Sequence, residues 1–192
     1  HDGESADVAA AIEQHYWPKA AGAALPESPV AQAVALADKL ETITGMFGIG
    51  QVPTGDKDPF GLRRAALGVI RILIERGQYV SLAALVDLAF ASFEAVPAVN
   101  AQPAPALDFI YDRTRGYLRE QGYSANQIAA VIDARPDVIA DLPARLAAVQ
   151  AFSALPEATA LAAANKRIVN ILKKSGDEAA PGKLAEPGDL VV

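Results

Sequence analysis

Apolar side chains recur every three to four positions along most of this 192-residue chain. That spacing places them on one face of an α-helix. Segments rich in glycine, proline and serine separate the periodic stretches, and serine or proline opens several of them, as is typical of helix starts. The pattern predicts helices over residues 5–16, 28–47, 58–76, 81–95, 106–122, 124–134, 142–153 and 156–174.

The same pattern predicts how the early helices begin and which side of each faces the core. Ser28 and Pro29 are the expected N-cap and first residue of the second helix, and Asp58 and Pro59 those of the third. The residues expected to face inward are Val8, Ile12 and Tyr16 in the first helix, Val30, Val34, Leu40, Ile43 and Phe47 in the second, Leu62, Ala66, Val69, Ile70, Leu73 and Ile74 in the third, and Phe109, Ile110, Tyr117 and Leu118 in the fifth.

Composition supports an all-α fold. Hydrophobic residues make up 52% of the chain, with much alanine, whereas aromatic residues make up 6%. Alanine favours helices, and the residue types that favour strands are scarce. The sequence contains no cysteine, which excludes disulfides and thiolate metal sites. It shows no signal pattern and no run of about 18 apolar residues, so we expect a cytoplasmic protein with no membrane partner.

Prolines and small residues at positions 96–105 interrupt the helical pattern and mark the expected domain boundary. We therefore predict two helical portions, residues 1–98 and residues 99–192. The composition of the segment after Lys174 predicts a loose C-terminal tail.

The net charge of −6 opposes nucleic-acid binding by the chain as a whole, so such binding would depend on local basic patches. Two segments supply them. Residues 53–71 contain Lys57, Arg63, Arg64 and Arg71 against Asp56 and Asp58, and residues 161–174 contain Lys166, Arg167, Lys173 and Lys174 without an acid.

The glycine-rich connection GIGQVPTGDKDP, residues 48–59, raises the question of a phosphate-binding loop. Glycine backbone followed by a helix start suits an anion. The segment follows a predicted helix instead of a strand, however, and it lacks the Gly-Lys-Ser/Thr of a Walker motif. A connection whose aspartate caps the next helix is the favoured interpretation.

A divalent-metal site is a second hypothesis. His1-Asp2 and the later helical Asp38, within LADKL, resemble parts of the ligand set of HD-type phosphohydrolases, in which imidazoles and carboxylates hold a metal that activates water. The upstream histidine of such a set is absent from this sequence, so we predict no metal ligand here. His15 has no nucleophile constellation around it in the sequence, and we assign no catalytic residue.

The segment ALADKLETITGMFGIGQVPTGDKDPFGLRRAALGVIRIL, residues 35–73, closely resembles the beta subunit family of bacterial glycyl-tRNA synthetases. The blocks HYWPKAAGAALPESPVAQAVALADKL, FIYDRTRGYLREQGY, ARPDVIADLPARLAAVQAF and LAAANKRIVNILKK resemble further blocks of that family in the same order. The resemblance covers nearly the whole chain and is weakest over residues 77–105 and the tail.

This resemblance implies part of a longer subunit: the end of an HD-like helical domain, followed by the first helices of a DALR-like anticodon-binding region. It implies a heterotetramer of two alpha and two beta subunits that uses ATP to attach glycine to tRNA, with the adenylate chemistry on the alpha subunit and no cofactor bound by this piece. A remnant phosphohydrolase and a purely structural scaffold stay open as alternatives. The residues we expect to contact tRNA are Lys57, Arg63, Arg64, Lys166, Arg167, Lys173 and Lys174.

Overall fold

The structure is a computed structural model that describes residues 3–55 and 57–175, with side chains up to residue 172. Within these residues it contains α-helices, one short 3-10 helix and no strand, which confirms the all-α prediction. The chain divides into two compact units, His1–Val149 and Gln150–Val192. The helices are α1 (Ala6–Gln14), α2 (Pro29–Gly48), α3 (Leu62–Glu75), α4 (Leu82–Ala91), α5 (Pro103–Glu120), α6 (Ala125–Ile132), the 3-10 helix Ile139–Asp141, α7 (Leu142–Ser153) and α8 (Ala158–Ser175).

Helix α3 is the most completely buried element of the first unit. It packs against α2, α5 and the 3-10 helix. The inward face predicted for α3 is confirmed, since five of its six residues are buried and Ile74 packs partly buried against the same core. Ile72 and Arg71 are buried as well, so other elements cover α3 on nearly every side.

The face predicted for α1 is wrong. Val8, Ile12 and Tyr16 are 37%, 66% and 66% exposed, whereas Ala11 and Gln14 are buried. The small side chain of Ala11 lets α1 lie close to α2, and the side-chain Oε1 of Gln14 accepts a hydrogen bond from the backbone nitrogen of Glu27 at 2.8 Å. Packing against α2 therefore selects the alanine face over the larger apolar one.

The predicted face of α2 is confirmed only in its second half. Ser28 caps the helix and Pro29 is its first residue, as expected. Val30 and Val34 point outward, however, and the buried apolar positions of the first turns are Ala31, Ala35 and Leu36. As in α1, alanines occupy the face along which helices approach each other.

Lys39 of α2 ties α1 into the unit. It is 6% exposed, and its Nζ donates a hydrogen bond to the backbone oxygen of His15, the C-cap of α1, at 2.7 Å. A cation at the carbonyl end of a helix is favoured by the helix dipole. Burial lowers the pKa of Lys39, an effect that nearby Asp38 opposes. Gly68 of α3 provides the room, because a Cβ there would lie 2.6 Å from Lys39 Cε.

A buried polar network joins α3 to α5 and to the segment before α2. Arg71 donates to both carboxylate oxygens of Glu75, at 2.6 and 3.1 Å, and to the backbone oxygen of Ala23 at 2.9 Å. The hydroxyl of Tyr117 in α5 donates to Glu75 at 3.3 Å. Every member of the network therefore has a partner, as burial requires.

The predicted division between residues 98 and 99 falls inside the first unit, where α5 packs against α2, α3 and α4. The interruption between the helices lies earlier than expected, at residues 92–102 instead of 96–105, because α4 ends at Ala91 and α5 begins at Pro103. Assignment of the two portions to HD-like and DALR-like domains stays a prediction. The predicted tail lies outside the described residues, apart from Ser175.

In the described part of the chain, no single helix is long and apolar enough to cross a membrane. The bent pair Ile139–Ser153 and Ala158–Leu172 has the required length and composition only when its two helices are counted together.

Two helical glycines give a matched test of packing. At Gly48, which ends α2, a Cβ would lie 2.4 Å from Val99 Cγ1, and a hydrogen bond from Asn100 N to Gly48 O holds that neighbouring segment in place. At Gly116 in α5 a Cβ would meet nothing within 4 Å. We expect Gly48→Ala to lower the free energy of unfolding by about 1–3 kcal/mol. Gly116→Ala should raise it by about 0.5–1 kcal/mol, and urea denaturation of the purified variants measures both.

A second prediction concerns alkaline pH. Burial, reinforced by the Glu75 carboxylate, raises the pKa of Tyr117 to about 12, against about 10 for an unfolded tyrosine. Between these values the folded state keeps a proton that the unfolded state has lost, so the free energy of unfolding falls as the pH rises. Tyr117→Phe should reduce the fall between pH 9 and pH 11 by about 1 kcal/mol. Urea denaturation at both pH values, with exposed Tyr79→Phe as control, tests this, and identical falls in wild type and Tyr117→Phe would contradict it.

Candidate nucleic-acid interface

The connection between α2 and α3 is a compact, internally bonded structure. Thr54 and Lys57 pair through two backbone hydrogen bonds of 3.2 and 2.9 Å. The backbone nitrogen of Gly61 then donates to the backbone oxygen of Asp58 at 3.2 Å. Gly61 itself has a φ of 67°, a left-handed conformation that glycine adopts without strain, and it turns the chain into α3. The connection therefore holds a fixed backbone shape immediately before the buried helix.

Asp58 caps α3 from outside the helix. Its Oδ1 accepts from the backbone nitrogen of Leu62 at 2.8 Å and its Oδ2 from that of Arg63 at 2.9 Å. The prediction that Asp58 is the N-cap and Pro59 lies in the first turn is wrong, since the N-cap is Gly61. The favoured interpretation, an aspartate that caps the next helix, is confirmed in its chemistry.

This carboxylate also answers the question of a phosphate-binding loop. An anion at the start of α3 would need the backbone N–H groups of Leu62 and Arg63. Both groups already donate hydrogen bonds to the Asp58 carboxylate. A second anion at the same position would be repelled by that carboxylate. The connection is therefore not built as a phosphate cradle, in agreement with the missing Walker residues.

The cations predicted in this connection have different roles. The Arg63 guanidinium donates to the backbone oxygen of Gly55, so it holds the Thr54–Lys57 turn against α3. Lys57 and Arg64 are exposed, and neither side chain has a hydrogen bond or ion pair among the described residues. Arg71 is buried against Glu75. Two of these cations, Lys57 and Arg64, are therefore available to a partner from solution.

Helix α8 carries the second predicted patch, in the second unit. Lys166 and Arg167 are exposed and, with Ala163, Asn170 and Ile171, line a surface cleft of about 350 Å³. The side chains of Lys173 and Lys174 lie outside the described residues. The same helix exposes apolar side chains, namely Leu161, Ile168, Val169 and Ile171.

Two arginines elsewhere on the surface of the first unit are bound by carboxylates around a second cleft. Arg115 pairs with Asp133 and Arg135 with Asp108, each at 2.6 Å, and the cleft, of about 350 Å³, lies between α5 and the end of α6. Arg135 also lies 5.0 Å from the centre of the Tyr111 ring. These ion pairs leave α5 with less free positive charge than its sequence indicates.

The metal hypothesis requires a cluster of metal-binding side chains, and the part of the chain that the structure describes contains none. No group of three or more histidine, aspartate or glutamate side chains is gathered there. Asp38 is exposed on α2, and His15 Nδ1 lies 2.8 Å from the backbone oxygen of Ile12. His1 and Asp2 lie outside the described residues.

Sequence reasoning missed an exposed aromatic side chain in the same connection. Phe60 is 47% exposed and stands between the two available cations in sequence. Its position in a turn, next to a proline and before a left-handed glycine, is the signal that could have marked it as outward-pointing.

Comparison with known proteins gives one consistent result. The profile of the family described as "Glycyl-tRNA synthetase beta subunit" matches residues 1–133. Three curated relatives, each named glycine--tRNA ligase beta subunit, illustrate the similarity. They come from Polaromonas naphthalenivorans (61% identical, covering 94% of this chain and 25% of the relative), Dechloromonas aromatica (59%, 91% and 24%) and Thiobacillus denitrificans (54%, 100% and 27%). The chain thus spans about a quarter of the length of the curated relatives it matches.

The capping role of Asp58 generates a stability prediction. Asp58→Ala leaves the first two N–H groups of α3 without an acceptor and should lower the free energy of unfolding by about 1–2 kcal/mol. Asp58→Asn keeps one acceptor oxygen and should lose less. Asp87→Ala, at an exposed aspartate of α4 with no side-chain hydrogen bond among the described residues, is the matched control. Equal unfolding curves for Asp58→Ala and Asp87→Ala would refute the cap.

Proposed function

Because the chain belongs to the glycyl-tRNA synthetase beta subunit family, we propose that it serves the ATP-dependent attachment of glycine to tRNA by binding and positioning the tRNA. In this proposal the adenylate chemistry takes place on the alpha subunit, and the piece described binds no cofactor of its own. The complete assembly is a heterotetramer of two alpha and two beta subunits in the cytoplasm.

The observation that carries the proposal is the presence of exposed cations without intramolecular partners in an acidic chain. The net charge is −6, yet Lys57 in the α2–α3 connection, Arg64 in the first turn of α3, and Lys166 and Arg167 on α8 are exposed and make no ion pair within the described residues. Phosphate contacts from Lys and Arg supply much of the affinity for nucleic acids because they release counterions. Asn170 beside Lys166 adds an amide that suits ribose or phosphate oxygens.

A scaffold function is the second candidate, and the exposed apolar faces favour it. Ile12 on α1, Tyr16 just after it, and Leu161 and Ile168 on α8 are each at least 55% exposed. Such faces often mark contacts with other protein segments. Crosslinking the intact ligase to tRNA separates the two functions, since a scaffold would crosslink to protein alone.

Charge substitution on α8 tests the tRNA function. We expect Lys166→Gln with Arg167→Gln to weaken tRNA binding by the intact ligase. The slope of log Kd against log salt concentration should also fall by about 1 for each phosphate contact that is lost. Fluorescence anisotropy of labelled tRNA at several salt concentrations measures both quantities.

The matched control is Lys19→Gln with Arg119→Gln, which removes the same charge from exposed positions outside the two patches. If this control weakens binding as much as the α8 variant, net charge is responsible and α8 is not a specific contact. Unchanged affinity and salt slope for the α8 variant, together with unchanged values for Lys57→Gln with Arg64→Gln, would refute tRNA binding by this part of the subunit.

A further inference from the structure

Phe60 is displayed at an exposed turn of the α2–α3 connection. Its side chain is 47% exposed, and it lies within the turn that the Gly61 N to Asp58 O hydrogen bond closes. Lys57 precedes it by three positions and Arg64 follows it by four. An aromatic ring thus lies close along the chain to two cations, one in the connection and one in the first turn of α3, that have no partner in the described residues.

The backbone around Phe60 is held on both sides. On the N-terminal side, Thr54 and Lys57 pair through the backbone, and Arg63 binds the oxygen of Gly55. On the C-terminal side, Asp58 binds the first N–H groups of α3. A surface that is already ordered loses little conformational entropy when a ligand binds, so the exposed ring is prepared for a contact.

We propose that Phe60 stacks on an unpaired nucleotide of tRNA whose flanking phosphates lie against Lys57 and Arg64. The proposal rests on the tRNA-binding function proposed above and adds a specific contact to it. Proteins that bind single-stranded RNA combine aromatic rings, on which exposed bases stack, with cations that follow the phosphates. Bases inside a duplex are already stacked, so the ligand is a loop, a bulge or an unpaired end.

Charge favours RNA over a protein segment as the occupant of this surface. The Asp58 carboxylate accepts hydrogen bonds from two N–H groups, whereas the two cations Lys57 and Arg64 have no partner among the described residues and outnumber it. Asp56, the other acid of the segment, lies outside the described residues. The helix N–H groups play no part, since Asp58 occupies them.

The first experiment compares three variants of the intact ligase in tRNA binding. Phe60→Leu removes the ring but keeps an apolar side chain, and it should weaken binding about 5- to 100-fold. Phe60→Tyr keeps the ring and should bind within about twofold of wild type. Tyr79→Leu, at an aromatic residue that is 68% exposed after α3, is the matched control and should leave affinity unchanged. Coincident thermal unfolding curves for Phe60→Leu and wild type exclude a folding defect.

Salt dependence separates stacking from charge. Phe60→Leu should leave the slope of log Kd against log salt concentration unchanged, because a stacked base releases no counterion. Lys57→Gln or Arg64→Gln should each reduce that slope by about 1. If the lysine and arginine variants reduce the slope while Phe60→Leu binds like wild type, tRNA binding stands and the stacking proposal is overturned. If none of these variants, nor Lys166→Gln with Arg167→Gln, changes binding, the proposed function itself fails.

Photocrosslinking identifies the occupant directly. A benzophenone side chain introduced at position 60 of the intact ligase should crosslink to tRNA, and primer extension should map the crosslink to an unpaired nucleotide. The same group at position 79 should give no such product. A position-60 crosslink to protein alone, or only to base-paired nucleotides, would overturn the proposal.

Discussion

The burial of α3 on nearly every side is the constraint on which the rest of the first unit depends. A helix on the surface of a protein buries one apolar face, but α3 also buries Ile72 and Arg71. Buried polar groups must find partners inside the protein. The guanidinium therefore requires Glu75 and the backbone of Ala23, and this requirement fixes the segment before α2. The hydroxyl of Tyr117 joins the same carboxylate, which places α5.

The burial of α3 also constrains the surface segment that leads into the helix. Leu62, the first residue of the helix, is 1% exposed, so the chain must arrive at the core from outside within a few residues. Gly61 makes the turn in a left-handed conformation, and Asp58 supplies the acceptors that the first N–H groups lack. The connection is thereby fixed against the core. The exposed side chains of the connection therefore have a defined position against α3, whose own exposed positions include Arg64.

Features that depend only on neighbouring residues could be predicted from the sequence. The choice of which helix face is buried depends on packing between helices and could not. Ser28 caps its helix as predicted because the cap needs only its own next turn. The inner face of α1 could not be predicted, since Val8 and Ala11 both lie on apolar faces and the choice depends on how closely α2 approaches. The candidate site followed the same rule. The sequence shows where basic residues cluster, but only the structure shows that Arg63 bonds to its own loop.

The distinction between occupied and unoccupied charges explains how an acidic chain can present surfaces suited to a polyanion. The sequence has more acidic than basic residues, which considered alone argues against nucleic acid as a ligand. Some acidic side chains are engaged by the fold itself, however, since partly buried Asp58 binds N–H groups of α3 and Glu75 pairs with Arg71. Within the range of the Debye length, about 10 Å in ordinary salt, a ligand responds to the local charges and not to the total. In the proposed complex, we therefore expect the phosphate backbone to lie at positions such as Lys57 and Arg64, where cations are exposed and the neighbouring Asp58 carboxylate is engaged.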